Sequence, residues 1–167
     1  NVAIDFAGGE VMILQDLLDS YLREFKKYER NHNVKFTYRL TTNGTVPSEI
    51  IRYIENGTFL PSKVVISYDG KDSDRSYLNT DNLKLLTKYT DELEFHIALS
   101  DKSIPNLYAT MKELSDMGFR NIEYYYLYKN DNYENDDIVA SFSKNLDMIM
   151  RSYKDLGIDM YNFNYAK

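Results

Sequence analysis

The 167-residue chain contains no cysteine at all. That one absence removes a disulfide framework, a thiol nucleophile and any cysteine-ligated zinc or iron–sulfur cluster held by these residues alone. Histidine is almost as scarce, with only His32 and His96, too few for a histidine-rich metal centre. No apolar run approaches the roughly 20 residues that span a bilayer, so no membrane partner is expected. Positive charge is in deficit, with a net charge of −6 and an isoelectric point near 5.0. A general nucleic-acid surface needs a basic stripe, so nucleic acid is excluded as a partner too. Linkers rich in Pro, Gly or Ser are missing, and so is any charged-then-apolar leader segment.

What is present is ordinary globular material, 43% hydrophobic and 28% charged. Short β-like runs alternate with helical stretches at a spacing of about 30 residues. The runs are Val2–Phe6, Val34–Leu40, Lys63–Tyr68, Leu93–Leu99, Ile122–Tyr128 and a weaker Ile158–Phe163, several of them rich in Val, Ile, Phe and Tyr. From Val11 to Arg30 the helical period puts Leu14, Leu17, Leu18, Tyr21, Leu22, Phe25 and Tyr28 on one face. Pro47 suits a first helical turn and Gly57 a stop. Thr80 is placed to cap a helix carrying Leu83, Leu85 and Leu86. Ser103 is placed to open another that Gly118 ends, and Gly157 closes a last helix running from about Asp137. The β–α alternation predicts right-handed crossovers and a largely parallel sheet. The expected fold is α/β, an arc or part of a (β/α) barrel, with a doubly wound sheet as the competitor. One unit spans 1–167.

In parallel α/β folds ligands bind at the carboxyl ends of the strands. The first run ends in Gly8-Gly9-Glu10, where paired glycines let a ligand approach the backbone and Glu10 suits an ammonium group. The competing reading is a tight turn with a glutamate at a helix start. After the second run comes Thr41-Thr42-Asn43-Gly44-Thr45, in which Asn43 donates and accepts, Gly44 permits positive φ and Thr45 is a cap candidate. The third run ends in Ile66-Ser67-Tyr68-Asp69-Gly70. Strand alternation would turn Ser67 and Asp69 toward one cavity, and Arg75 beyond them suits a carboxylate. Ser100 ends the fourth run. The Tyr124–Tyr128 block reads as packing, His96 as a satisfied strand histidine, and His32 as a solvated loop residue.

Taken in order, the three turns resemble those of radical S-adenosylmethionine (AdoMet) enzymes. The branch is that of the anaerobic sulfatase-maturating enzymes and the SPASM-type peptide maturases. A GGEP turn, a TNGT-like turn and an S-x-D-G turn follow consecutive βα units of a partial (β/α)6 barrel there. The resemblance implies that Gly8, Gly9 and Glu10 bind the AdoMet amino group, and that Ser67 and Arg75 contact its carboxylate or ribose. It implies further that Asn43 and Asp69 lie at the barrel mouth and that Ser100 makes a polar ribose contact. Val11 stands where the family has proline, and Arg75 follows Ser67 sooner than the family's arginine does. The family's chemistry also needs a Cys-x3-Cys-x2-Cys loop for a [4Fe–4S] cluster, which this chain lacks.

The expectation drawn from that departure is an internal stretch of a longer enzyme, whose first βα unit and cluster loop lie upstream. The complete enzyme would cleave AdoMet to a 5′-deoxyadenosyl radical and abstract hydrogen from a peptide or protein substrate. These 167 residues alone are expected to be inactive. An oxygen-sensitive cluster implies a cytoplasmic address. Two other classes compete. A cluster-less barrel would bind a peptide or small ligand without catalysis, and a Schiff-base aldolase would use Lys129.

Overall fold

The computed structural model describes residues 1–60, 62–71, 73, 78–126 and 135–158. Five strands form one sheet: β1 (Val2–Phe6), β2 (Phe36–Thr42), β3 (Val64–Ser67), β4 (Leu93–Leu99) and β5 (Ile122–Tyr126). Every neighbouring pair is parallel, and the spatial order is the chain order. A doubly wound sheet reverses direction at a switch point. This sheet has no reversal, so its winding is that of a barrel arc.

Helices α1 (Gln15–Asn31), α2 (Pro47–Glu55), α3 (Thr80–Leu86) and α4 (Leu107–Asp116) cross between successive strands, and α5 (Asp136–Leu156) follows β5. None of the helices is long and apolar enough to cross a membrane, among the described residues.

Register assigns the two faces. Side chains alternate along a strand and register partners point the same way. Ile4, Phe6, Tyr38, Leu40, Val64, Ile66, Phe95, Ile97 and Ile122 therefore share one face. Ile4 and Phe6 pack against, and the other seven belong to, the hydrophobic cluster that also holds Leu18, Leu22, Ile50, Tyr53, Leu83, Leu86, Leu107, Met111, Leu114 and Ile149 from the helices. The other face carries Arg39, Thr41, Ser67, Glu94, His96 and Glu123. A polar inner face on a parallel sheet needs its charges paired, and Arg39 does bond Glu94 at 2.9 Å.

Across the outer layer, Asp19 of α1 accepts from the Tyr53 hydroxyl at 2.7 Å and pairs with Arg52 at 3.2 Å, both on α2. Burial and the Asp19 carboxylate together push the Tyr53 phenol well above its ordinary range.

Several expectations need correction. The apolar stripe of α1 divides: Leu18 and Leu22 are buried, whereas Leu17 is 47% and Tyr21 51% exposed. Residues 11–14 form a separate 3-10 turn ahead of the α-helix. The cap of α3 is Asn79, whose Oδ1 accepts from Asn82 N at 2.8 Å, and not Thr80. A 3-10 turn over Ile104–Asn106 stands between Ser103 and α4. Ile158 is buried outside any strand, and the remainder of the sixth run lies outside the described residues.

Candidate cofactor-binding site

The turns after β1 and β2 are joined by one carboxylate. Glu10 Oε1 accepts from Met12 N at 2.9 Å and from Thr42 Oγ1 at 2.7 Å, while Oε2 accepts from Asn43 N at 2.6 Å. The first bond makes Glu10 the N-cap of the 3-10 turn. The other two hold the next βα loop against it. A carboxylate has about four acceptor positions, so a position remains on Oε2 for a further donor.

Asn43 is held as firmly. Its Oδ1 accepts from Thr45 N at 3.0 Å and from the Thr45 hydroxyl, an Asx turn that closes the loop. Thr45 is spent on that turn, and the N-cap of α2 is Val46 with no side-chain cap, contrary to expectation.

These bonds shape a cavity of about 510 Å3 lined by Gly8, Gly9, Glu10, Ile13, Thr41, Thr42, Asn43, Thr45 and Ser67. Its size falls within the range for small-molecule and cofactor sites. Gly8 and Gly9 have φ of +99° and +51°, and a Cβ on either would meet nothing within 4 Å. Glycine is therefore required there by backbone conformation, and the bare turn borders open space. A zwitterion such as AdoMet fits this donor set: a carboxylate for its ammonium, and hydroxyls and an amide for its polar edges. The fit extends no further than AdoMet, since a chain without thiolates cannot ligate a [4Fe–4S] cluster.

The cavity brings together Gly8, Gly9, Glu10, Asn43 and Ser67. Asp69 and Ser100 do not line this cavity. Asp69 is buried, and its Oδ1 accepts from Ala98 N at 2.8 Å, so it clips the end of β3 to β4. Ser100 Oγ accepts from Ser103 N at 3.1 Å while Ser103 Oγ accepts from Ser100 N at 2.9 Å, a reciprocal local turn. Arg75 and Lys129 lie outside the described residues. Reading the turns alone missed Thr41, Thr42, Thr45 and Ile13 as lining residues, although the threonines sit in the same motif as Asn43.

Below the cavity, on the same face, runs a network the sequence reading left as one satisfied histidine. Ser67 is the register partner of His96, and His96 that of Glu123. His96 Nε2 lies 2.5 Å from Glu94 Oε1 and 3.6 Å from Glu123 Oε2, and the Tyr125 ring meets its edge. The bond from His96 holds the Glu94 carboxyl below its usual range, and Arg39 and Lys63 reinforce the effect against burial.

A depressed carboxyl contributes stability that is complete above the unfolded value, about 4.5, and is lost as pH falls through the lower folded value. Glu94→Gln removes that titration. Between pH 6 and pH 3 the variant is expected to lose less unfolding free energy in urea than the native chain does. Equal losses would refute the assignment.

No family model matches the sequence, and no curated protein matches it. Solved structures do match. The chain shares its fold with anSMEcpe. A structure titled as native anSMEcpe with bound AdoMet and the Cp18Cys peptide superposes with a TM-score of 0.67 at 20% identity. That match covers 93% of this chain and 48% of the other. A histidine-tagged form of anSMEcpe with bound AdoMet gives a TM-score of 0.66 at 19% identity over 93% of this chain and 46% of that one. The neighbours are anaerobic sulfatase-maturating, radical AdoMet enzymes. This chain spans about half their length. At such identity the match establishes the fold alone, a parallel α/β arrangement shared with these neighbours.

Proposed function

We propose that residues 1–167 form a single AdoMet-binding barrel domain of a radical AdoMet enzyme that acts on a peptide or protein. One observation carries this reading: Glu10 ties two βα turns together and lines, with a bare glycine pair, the cavity between them. In this reading the AdoMet ammonium bonds Glu10 Oε2 and the Gly8–Gly9 backbone. Asn43 and the hydroxyls of Thr41 and Ser67 orient the rest of the molecule, and Arg75 pairs with its carboxylate. Asp69 and Ser100 act indirectly, by bracing the strand ends. When bound, AdoMet and a [4Fe–4S] cluster together supply hydrogen-atom abstraction. Thiolates for the cluster would come from outside these residues, from an upstream segment of the same protein, and cytoplasmic residence would protect the cluster from oxygen. The matched structures, with AdoMet and peptide bound, support the choice of cofactor and substrate class.

The cysteine count favours a second reading, a cluster-less barrel that binds AdoMet or a peptide without catalysis. Isothermal titration of the chain with AdoMet tests what the two readings of the cavity share. Saturable binding at a Kd of about 1 mM or tighter is expected, and no heat of binding up to that concentration would reject the cofactor assignment. A three-cysteine loop in the sequence upstream of Asn1 separates the enzyme from the binding barrel.

A further inference from the structure

We propose that Glu94, His96 and Glu123 form a binding site for a divalent first-row transition ion, contributing one imidazole nitrogen and two carboxylate oxygens. One donor atom from each of the three lies within 4.8 Å of the others. In a tetrahedral set, ligands at about 2.0–2.2 Å from a common ion lie about 3.3–3.6 Å apart, so side-chain rotation that brings the donors together by about an ångström closes the set.

The backbone makes the convergence rigid. Glu94 and His96 are two residues apart on β4, and Glu123 is the register partner of His96 on β5. All three therefore rise from one face of paired strands rather than from mobile loops. They are half-buried on the polar inner face, which limits competition from solvent. Donor chemistry narrows the ion. A mixed imidazole and carboxylate set suits zinc, manganese, iron(II) or cobalt better than calcium or magnesium, which prefer oxygen alone.

Surrounding groups complete the argument. Arg39 donates to Glu94 Oε1 at 2.9 Å and the Tyr125 ring lies 5.7 Å from the His96 ring, so two ligands are oriented by outer partners. His96 Nε2 lies 2.5 Å from Glu94 Oε1 and 3.6 Å from Glu123 Oε2, so the imidazole nitrogen already sits close to both carboxylates. The site uses no thiolate and owes nothing to AdoMet, so this inference and the proposed function stand or fall separately.

Titrating the full chain with zinc chloride is expected to show one saturable equivalent. His96→Gln and Glu123→Gln are each expected to weaken it at least about tenfold. His32→Gln, at the other histidine, should leave it unchanged. Cobalt(II) gives a second readout, because a visible absorption band with the native chain and none with either ligand variant reports direct coordination. Circular dichroism shows whether a variant has folded, and if one has not, the other decides. Binding retained in both folded variants, binding lost in His32→Gln, or no saturable equivalent would overturn the site.

Discussion

Glu10→Ala is expected to cut AdoMet affinity about 100-fold or more, which is about 2.7 kcal/mol, while the chain keeps its secondary structure. Glu10 serves two ends at once. It would pair with the ligand's ammonium, and its oxygens accept from Met12 N, Thr42 Oγ1 and Asn43 N. Hydrogen bonds to a charged group are worth about 1.5–3 kcal/mol each, so alanine both removes the counter-charge and lets the Asn43 turn drift from Gly8 and Gly9. Glu10→Gln separates these effects. It retains an acceptor for the loop but loses the charge, and a loss nearer tenfold is expected. Isothermal titration gives the affinities and circular dichroism the fold. Alanine binding AdoMet as tightly as the native chain would remove Glu10 from the site. Equal losses in both variants would assign its whole effect to charge.

The difference between what Glu10 and Asp69 turned out to do shows where sequence is informative and where it stops. Glu10 follows a strand and two glycines, and local geometry alone sends its carboxylate to the nearest backbone amides. Asp69 was grouped with Ser67 by the two-residue period of a strand. β3 ends at Ser67, so the pleat that would have aimed both side chains together is already over, and Asp69 turns to Ala98 on β4 instead. Strand runs were legible because β-branched and aromatic residues cluster in them, and Leu93–Leu99 was recovered residue for residue. The exposed half of the α1 stripe was not legible, because a helical period shows which residues share a face and says nothing of what covers it. Asn79 and Thr80 are both able caps. The extended backbone at Asn79, with φ −88° and ψ 169°, is what selects it. The Arg39–Glu94–His96–Glu123 network was hidden for another reason. Its members come from three strands, and only the register brings them together.

Gly44→Ala is expected to be the most destabilising change in the candidate site, at roughly 3 kcal/mol and a fall in Tm of about 6–12 °C. Two costs add. Gly44 has φ +77°, a left-handed conformation that costs an L-residue about 1–2 kcal/mol. A Cβ there would also sit 2.5 Å from Leu78 Cγ and nearer still to its Cδ1. Leu78 is buried, so it cannot swing clear, and overpacking of this kind costs about 1–3 kcal/mol. Gly57 separates the terms. Its φ is +62°, but a Cβ would come no closer than 3.7 Å to Leu60, so Gly57→Ala should show the conformational cost alone. The double variant Gly44→Ala with Leu78→Ala should be less destabilised than the sum of the two single changes, because the second removes what the first strikes. Thermal melts of the five proteins, native chain included, decide it. Strict additivity in that cycle would mean the Leu78 contact carries none of the cost. AdoMet affinity should fall with stability in Gly44→Ala and not in Gly57→Ala, since only Gly44 lies between the lining residues Asn43 and Thr45.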